Sequence, residues 1–549
     1  MAAVGLDAPA VLLRQAMTLH RAGREEEADR LYAMVLDAEP RHAQALRLRG
    51  ILARDTGHLG LSVELLRRAA AAAAEDPEPA AELGLSHLAG GHLHLAEAAF
   101  RQALERDPAS EKALANLGAV LQHQGHVIQA IAAYRGALAV APDDIGIRCN
   151  LAHTLVEAHR GDEALGECDE ALAISIAHAG GHRSGHGDSQ ASVQADGMAM
   201  MRAMAGATRG SILCSLERYA EALPVLEDVV ESHANGLLPV GALDMPLINL
   251  ALAARELGLP DRARDVLVTA VRVNPDNARA VADLALMWAG SGHGDRALDI
   301  TADFLARHPG ERLVLAARAV ALRETGQAGE ARVLIDLEGL VVIHDHLPAA
   351  GHDAAGLNEG LAALVRNDTS LLASPASKAA RGGTQTGELN PLREPLVGRF
   401  QELVNAGIRA TVEAYRTAGL ADHPVMDWAA DSWTLRMWGN VLESGGHQLP
   451  HIHPLGWLSG VYYLELPAAI TDANAGMHDG ALEFGALPGW ISHRQPPERR
   501  IITPAVGRLV MFPSFFHHRT LPFHAPGEQR ISIAFDVMPA RAAQLLQGG

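Results

Sequence analysis

Residues 116–144 read NLGAVLQHQGHVIQAIAAYRGALAVAPDD: two helix-length, Ala- and Leu-rich runs that meet at Gly125 and end at Pro142. Leu117, Gly118, Leu121, Ala130, Tyr134 and Ala137 form a spaced set of small and large positions. The preceding segment supplies Gly84, Ala96, Phe100, Ala103 and Pro108, an earlier one Ala16, Gly23, Ala28, Tyr32 and Pro40, and a later one Ala251, Gly258, Ala263, Leu267, Ala270 and Pro275. The step is constant: 142 − 108 = 34 residues, and 309 − 275 = 34 between Pro275 and Pro309. Small residues let two helices approach closely, large ones fill the gap to the next unit, and proline stops the second helix. Such a hairpin cannot bury its apolar face alone, so the period predicts a stacked array.

Roughly eight or nine units fit between residues 9 and 340, with weaker examples around Gly57, Ala164, Ala222, Ala297 and Ala331. The pattern resembles the tetratricopeptide repeat, and the resemblance implies an all-α solenoid able to hold an extended peptide or protein segment. Residues 176–197, IAHAGGHRSGHGDSQASVQADG, interrupt the period and read as a flexible His/Gly/Ser-rich insertion, its glycines ill suited to presenting His178, His182 and His186 as a metal face.

The 549 residues allow for roughly three or four domain-equivalents. A hydrophobic fraction of 48% with 20% charged residues excludes wholesale disorder. The net charge of 46 − 65 = −19 speaks against nucleic acid and anionic lipid as partners. The N-terminus lacks the pattern of a secretory signal and no apolar run is long enough to span a bilayer, so the expectation is a cytoplasmic protein without membrane partners. Cys149, Cys168 and Cys214 lack metal-binding spacing and read as buried small hydrophobes.

Composition changes toward the C-terminus. Trp428, Trp433, Trp438, Trp457 and Trp490 leave only Trp288 upstream, and β-rich runs such as LSGVYYLEL, RLVMF and RISIAF stand between Gly and Pro turns. Ahead of them, Leu396, Phe400, Leu403, Ile408, Val412 and Tyr415 mark one helical face that can back a sheet. In HIHPLGWLSGVYYLELP (451–467), His451 and His453 share one face of an extended chain. Two imidazoles so placed take adjacent positions on a metal, and a third ligand must come from a distant strand. His518 offers it, although strand alternation alone leaves its neighbour His517 as an alternative. Arg530 follows after 530 − 518 = 12 residues with Ser532 on the same face, a pair suited to gripping a carboxylate.

HIHPLGWLSGVYYLELP, GALEFG, GRLVMFPSFFHH and EQRISIAF stand in the order found in iron(II)- and 2-oxoglutarate-dependent oxygenases, which residues 341–540 resemble. The resemblance implies a double-stranded β-helix, or jelly roll. It implies Fe(II) on His451, His453 and His518, 2-oxoglutarate on Arg530 and Ser532, and a pocket lined by Asn440 and by Tyr462 or Tyr463. It further implies reaction with O2 that converts 2-oxoglutarate to succinate and hydroxylates a C–H bond.

One departure is that His453 stands where the commonest form of the motif has Asp or Glu; with Fe(II) and dianionic 2-oxoglutarate the local charge is then 2 − 2 = 0 rather than −1. Three-histidine sites also occur in cupin dioxygenases that use no 2-oxoglutarate, but such a site has no need of Arg530. The repeats suggest a protein or peptide substrate; the alternatives are a small-molecule hydroxylase and a non-catalytic scaffold with a degenerate β-domain. Residues 470–500, with few apolar anchors, read as a lid. Glu483 reads as structural, and Phe515 with Phe516 as core.

Overall fold

The computed structural model describes residues 8–181, 188–234, 240–345, 354–373, 379–428, 432–471 and 478–539. The chain divides into two compact units, one reaching to Ile147 and one from Arg148 to Ala540. No helix among the described residues is long and apolar enough to cross a membrane.

The helical part is a solenoid of tetratricopeptide-like hairpins, and its period has a visible backbone cause. Gly23, Gly57, Gly91 and Gly125, and again Gly258, Gly292 and Gly326, take positive φ at 34-residue steps, each in the turn inside a hairpin. His159, 34 residues after Gly125, adopts φ 57° without glycine's freedom, which carries a local cost. The small–large rule is equally concrete. A Cβ on Gly50, Gly84, Gly118 or Gly210 would lie 2.5–2.8 Å from Leu66, Phe100, Tyr134 or Leu226, always sixteen residues on. Ser110 and Asn277 cap their helices by accepting from the amides of Ala113 and Ala280.

The stretch expected to be a loop at 176–197 is largely helical: one helix runs to Gly181 and the next begins at Asp188. Ala-rich sequence prolongs the first, while Asp188 and Ser189 suit the start of the second. The side chains of His178, His182 and His186 lie outside the described residues. Cys149, Cys168 and Cys214 are buried and form no disulfide among the described residues.

Beyond the short helix Leu337–Leu340, which ends the helical part, the chain forms an antiparallel β region with helices of its own. Its strands are β1 (Val342–His344), β2 (Leu372–Ala373), β3 (Ala380–Glu388), β4 (Trp433–Gln448), β5 (Leu458–Glu465), β6 (Leu482–Phe484), β7 (Arg500–Ile502), β8 (Leu509–Pro513), β9 (His518–Thr520) and β10 (Arg530–Pro539). Seven form one sheet in the order β1-β8-β5-β10-β4-β3-β2, and three form another in the order β7-β6-β9.

Helices Ala354–Arg366 and Pro395–Thr417 cover the larger sheet, placing Leu361, Val365, Phe400, Val404 and Ile408 against Ile531, Ile533, Phe535 and Val537. The alternate residues of β10, Arg530, Ser532 and Asp536, therefore face away from these helices. Leu315, Ala319 and Leu322, from the last full repeat, belong to the same apolar cluster as the strands. Full burial of such side chains contributes about 1.5–3 kcal/mol each.

Candidate metal and carboxylate site

An isolated bridge fixes two of the three histidines before any side chain is considered: His451 and His518 exchange backbone hydrogen bonds of 3.0 Å in both directions. The His453 amide donates to Ser514 O at 2.9 Å, tying the same loop to the segment before β9. One ring nitrogen from each of His451, His453 and His518 lies within 4.8 Å of the others. His518 is the one that joins the pair. His517 instead lines a cavity of about 400 Å³ with Arg323 and Phe516.

The three rings are oriented by acceptors. His451 Nδ1 donates to Leu449 O at 2.7 Å and His518 Nδ1 to Phe516 O at 2.9 Å. His453 Nδ1 donates to the Asp536 carboxylate at 3.0–3.1 Å. A carbonyl or carboxylate cannot donate, so Nδ1 carries a proton in each ring, which leaves Nε2 as the atom available to a metal. Burial, reinforced by the neighbouring His453, pushes His451 down to about 3, and burial with the neighbouring imidazoles holds His518 well below the ordinary histidine range. Three imidazole nitrogens gathered around one point suit a divalent cation of the transition series.

Asp536 was not read from the sequence as part of the site. Its carboxylate accepts from Ser459 Oγ at 2.6 Å as well as from His453, and Ser459 bonds to Ser514 at 2.8 Å. Burial raises its proton affinity, but His453, Ser459 and Arg436 outweigh this and hold the group below the usual carboxylate range. The signal was available: Asp536 lies on the same strand face as Arg530 and Ser532, four residues beyond the latter. Trp438, opposite Ala534 on β4, stacks on His453 with centroids 5.8 Å apart and stops the ring from tilting.

Arg530 is 2% exposed, and no carboxylate ion-pairs with it among the described residues. Its Nη1 donates to Ser532 Oγ at 3.4 Å, its guanidinium carbon stands 4.9 Å above the Tyr463 ring, and its Nε has no hydrogen-bond partner. Asn440 lies directly across from Ser532, and its buried Oδ1 also has no hydrogen-bond partner among the described residues. A buried cation without a counter-charge is costly unless an anion completes it.

The two halves of the site are close along the sheet. Trp438, beside the histidines, pairs with Ala534, whereas Tyr463, under the guanidinium, pairs with Ser532. Two residues of strand span about 7 Å, the scale of a five-carbon dicarboxylate.

Tyr462, one of the two tyrosines expected in the pocket, does not line it. Its hydroxyl donates to Asn358 Oδ1 at 2.9 Å, and its ring packs 5.4 Å from Phe400 on the helix-covered side. Successive strand residues point to opposite faces, so only one of the pair can face Arg530, and that one is Tyr463.

The expected lid is also anchored more firmly than its sequence suggested: Leu487, Trp490 and Ile491 pack with repeat residues such as Val281, Ala285 and Val320. Glu483 is buried between Arg499 at 3.0 Å and Arg519 at 2.5 Å, as a structural residue would be. Phe515 and Phe516 are buried against each other.

Comparison with known proteins adds to this geometry. A family profile described as "Putative 2OG-Fe(II) oxygenase" matches residues 436–536, and one described as tetratricopeptide repeat matches residues 82–145 and 248–310. Among solved structures, a crystal structure of MamA protein is 20% identical, with 33% of this chain and 99% of that chain covered and a TM-score of 0.30. A crystal structure of the APC/C hetero-tetramer Cut9-Hcn1 is 16% identical, with 57% and 55% covered and a TM-score of 0.37. No curated protein matches the sequence.

Proposed function

From the premise that the chain joins tetratricopeptide repeats to a C-terminal domain of the 2OG-Fe(II) oxygenase family, we propose that it is an Fe(II)- and 2-oxoglutarate-dependent dioxygenase hydroxylating a protein or peptide. The observation that carries this reading is the convergence of three imidazoles beside the larger sheet, together with a buried Arg530 that has no counter-charge among the described residues. In this reading the two sheets are the halves of a jelly roll, residues 9–340 the solenoid and 341–540 the catalytic domain.

His451, His453 and His518 would hold Fe(II), with their Nδ1 protons fixed on Leu449, Asp536 and Phe516. Arg530 and Ser532 would grip the distal carboxylate of 2-oxoglutarate, and Asn440 would add a polar contact from the neighbouring strand. With these groups bound, the site supplies oxidative decarboxylation coupled to C–H hydroxylation. The protein's share is placement and exclusion of water: Phe484 and Phe512, 6.1 and 4.6 Å from the His518 ring, keep that flank dry. The repeats, whose stacked helices form surfaces suited to extended chains, recruit the substrate.

An anaerobic titration with Fe(II) and 2-oxoglutarate, followed by the visible metal-to-ligand charge-transfer band, tests the reading. The band is expected in the parent and sharply weakened in Arg530→Ala. Iron binding without the band points to a three-histidine dioxygenase that uses no 2-oxoglutarate, and absence of iron binding defeats the enzymatic reading.

A further inference from the structure

Residues 485–499, between β6 and β7, have no regular secondary structure, yet three successive repeats hold them. The first helices of these repeats are Asp244–Glu256, Ala278–Gly290 and Arg312–Glu324. The Arg255 guanidinium, at the end of the first, lies 4.2 Å above the Trp490 ring. At the end of the second, Gly290 leaves room for Ser492: a Cβ there would stand 2.8 Å from Ser492 O and 2.9 Å from its Cβ. On the third, Glu324 has a side chain only 1% exposed. It accepts from the backbone amides of Arg494 at 3.0 Å and Gln495 at 3.0 Å, and from Arg494 Nε at 3.3 Å. Between these points Ile491, 3% exposed, sits in the apolar cluster of Ala285, Ala289 and Val320.

The segment thus advances by two residues, from Trp490 to Ser492 to Arg494, as the array advances by one repeat. An irregular segment held this way uses main-chain hydrogen bonds for affinity and side-chain pockets for selectivity, as peptide-binding surfaces do. Glu324 is informative because its carboxylate is desolvated and spent largely on another segment's backbone N–H groups. The array alone would gain nothing from burying it.

We infer that helices 244–256, 278–290 and 312–324 form a peptide-recognition groove occupied by the chain's own Leu487–Gln495, and that a partner segment of the same chemistry competes for it. That chemistry is an aromatic–aliphatic pair followed three residues later by arginine, the Trp490-Ile491-x-x-Arg494 pattern. The inference does not depend on the metal site.

The test uses the full-length chain and a labelled synthetic peptide of residues 486–498, with binding read by fluorescence anisotropy. The parent binds the peptide weakly because its groove is filled. A Trp490→Ala/Ile491→Ala double variant, with helicity unchanged by circular dichroism, binds it at least tenfold more tightly. Adding Gly290→Leu, which intrudes at the Ser492 position, abolishes that gain. Equal binding by parent and double variant, or a gain that survives Gly290→Leu, overturns the inference. If the double variant loses helicity, hydrogen exchange decides: Glu324→Ala should increase exchange of the Arg494 and Gln495 amides at least tenfold, and unchanged rates overturn it.

Discussion

Replacing Asp536 with Asn tests whether the carboxylate absent from the histidine pair has been moved one bond network outward. Asn keeps the size of the side chain and an acceptor for His453 Nδ1, but removes the charge that now receives hydrogen bonds from His453 and Ser459. A hydrogen bond to a charged group is worth about 1.5–3 kcal/mol, against about 0.5–1.5 for a neutral one, so roughly 1–2 kcal/mol of orientation and ligand basicity is at stake. At about 1.4 kcal/mol per tenfold, this weakens metal binding by roughly 5- to 30-fold, within the range for residues that orient metal-bound histidines. The assay is anaerobic titration with Co(II) or Fe(II) by calorimetry, beside urea unfolding of the metal-free proteins. Asp536→Asn should shift the metal affinity while the unfolding midpoint moves little. A metal affinity within twofold of the parent would refute the role assigned to Asp536, whereas a parent that binds no metal would refute the site itself.

Tyr462→Phe should lower unfolding stability by about 1 kcal/mol through the lost bond to Asn358 and leave the 2-oxoglutarate affinity, read from the charge-transfer band, unchanged. In the first unit, Gly84→Ala places a methyl group 2.7 Å from the fully buried Phe100 ring; an unfolding loss of about 1–3 kcal/mol is expected, and a neutral result would show that the ring has room to move. Burial holds His153 and His344 below the ordinary histidine value of 6.5, so below that pH the unfolded chain takes up protons that the folded chain refuses. Stability of the metal-free protein should therefore fall as pH drops from 6.5 toward the depressed folded values, and His153→Gln should flatten that slope in urea titrations at stepped pH.

The repeats were legible because their determinants are local. Gly118 and Tyr134 are sixteen residues apart in one hairpin, and the same pair recurs as Gly84 with Phe100. The metal-binding candidates were legible for a different reason: His451 and His453 share parity in a strand-like segment, as do Arg530 and Ser532. Parity fails where a partner comes from another element. Choosing His518 over His517 needs its bridge to His451, and choosing Tyr463 over Tyr462 needs the pairing of β5 with β10. The expected lid failed on long-range contacts, since nothing near Trp490 in the sequence announces Arg255, and Glu324 looks like an ordinary exposed helix-end residue.

The last repeat also bears on the loop that carries His451 and His453, which makes the passage near residue 340 a change of architecture within a continuous packed core. Arg312, which opens the helix of the last full repeat, donates to Pro454 O at 2.9 Å and Leu455 O at 3.4 Å, immediately after His453. The amide of His453 is held by Ser514, on the segment leading to His518. A guanidinium from the repeats thus steadies one side of the loop while the β strands steady the other. The helix carrying Arg312 ends at Glu324, which grips the segment between β6 and β7, and β6 pairs Phe484 with His518. Both ends of one repeat helix therefore touch elements that carry or flank metal-binding candidates. Because packed interfaces shift between discrete arrangements rather than deforming continuously, a change in how these repeats hold the segment would be felt at His453 and His518 together.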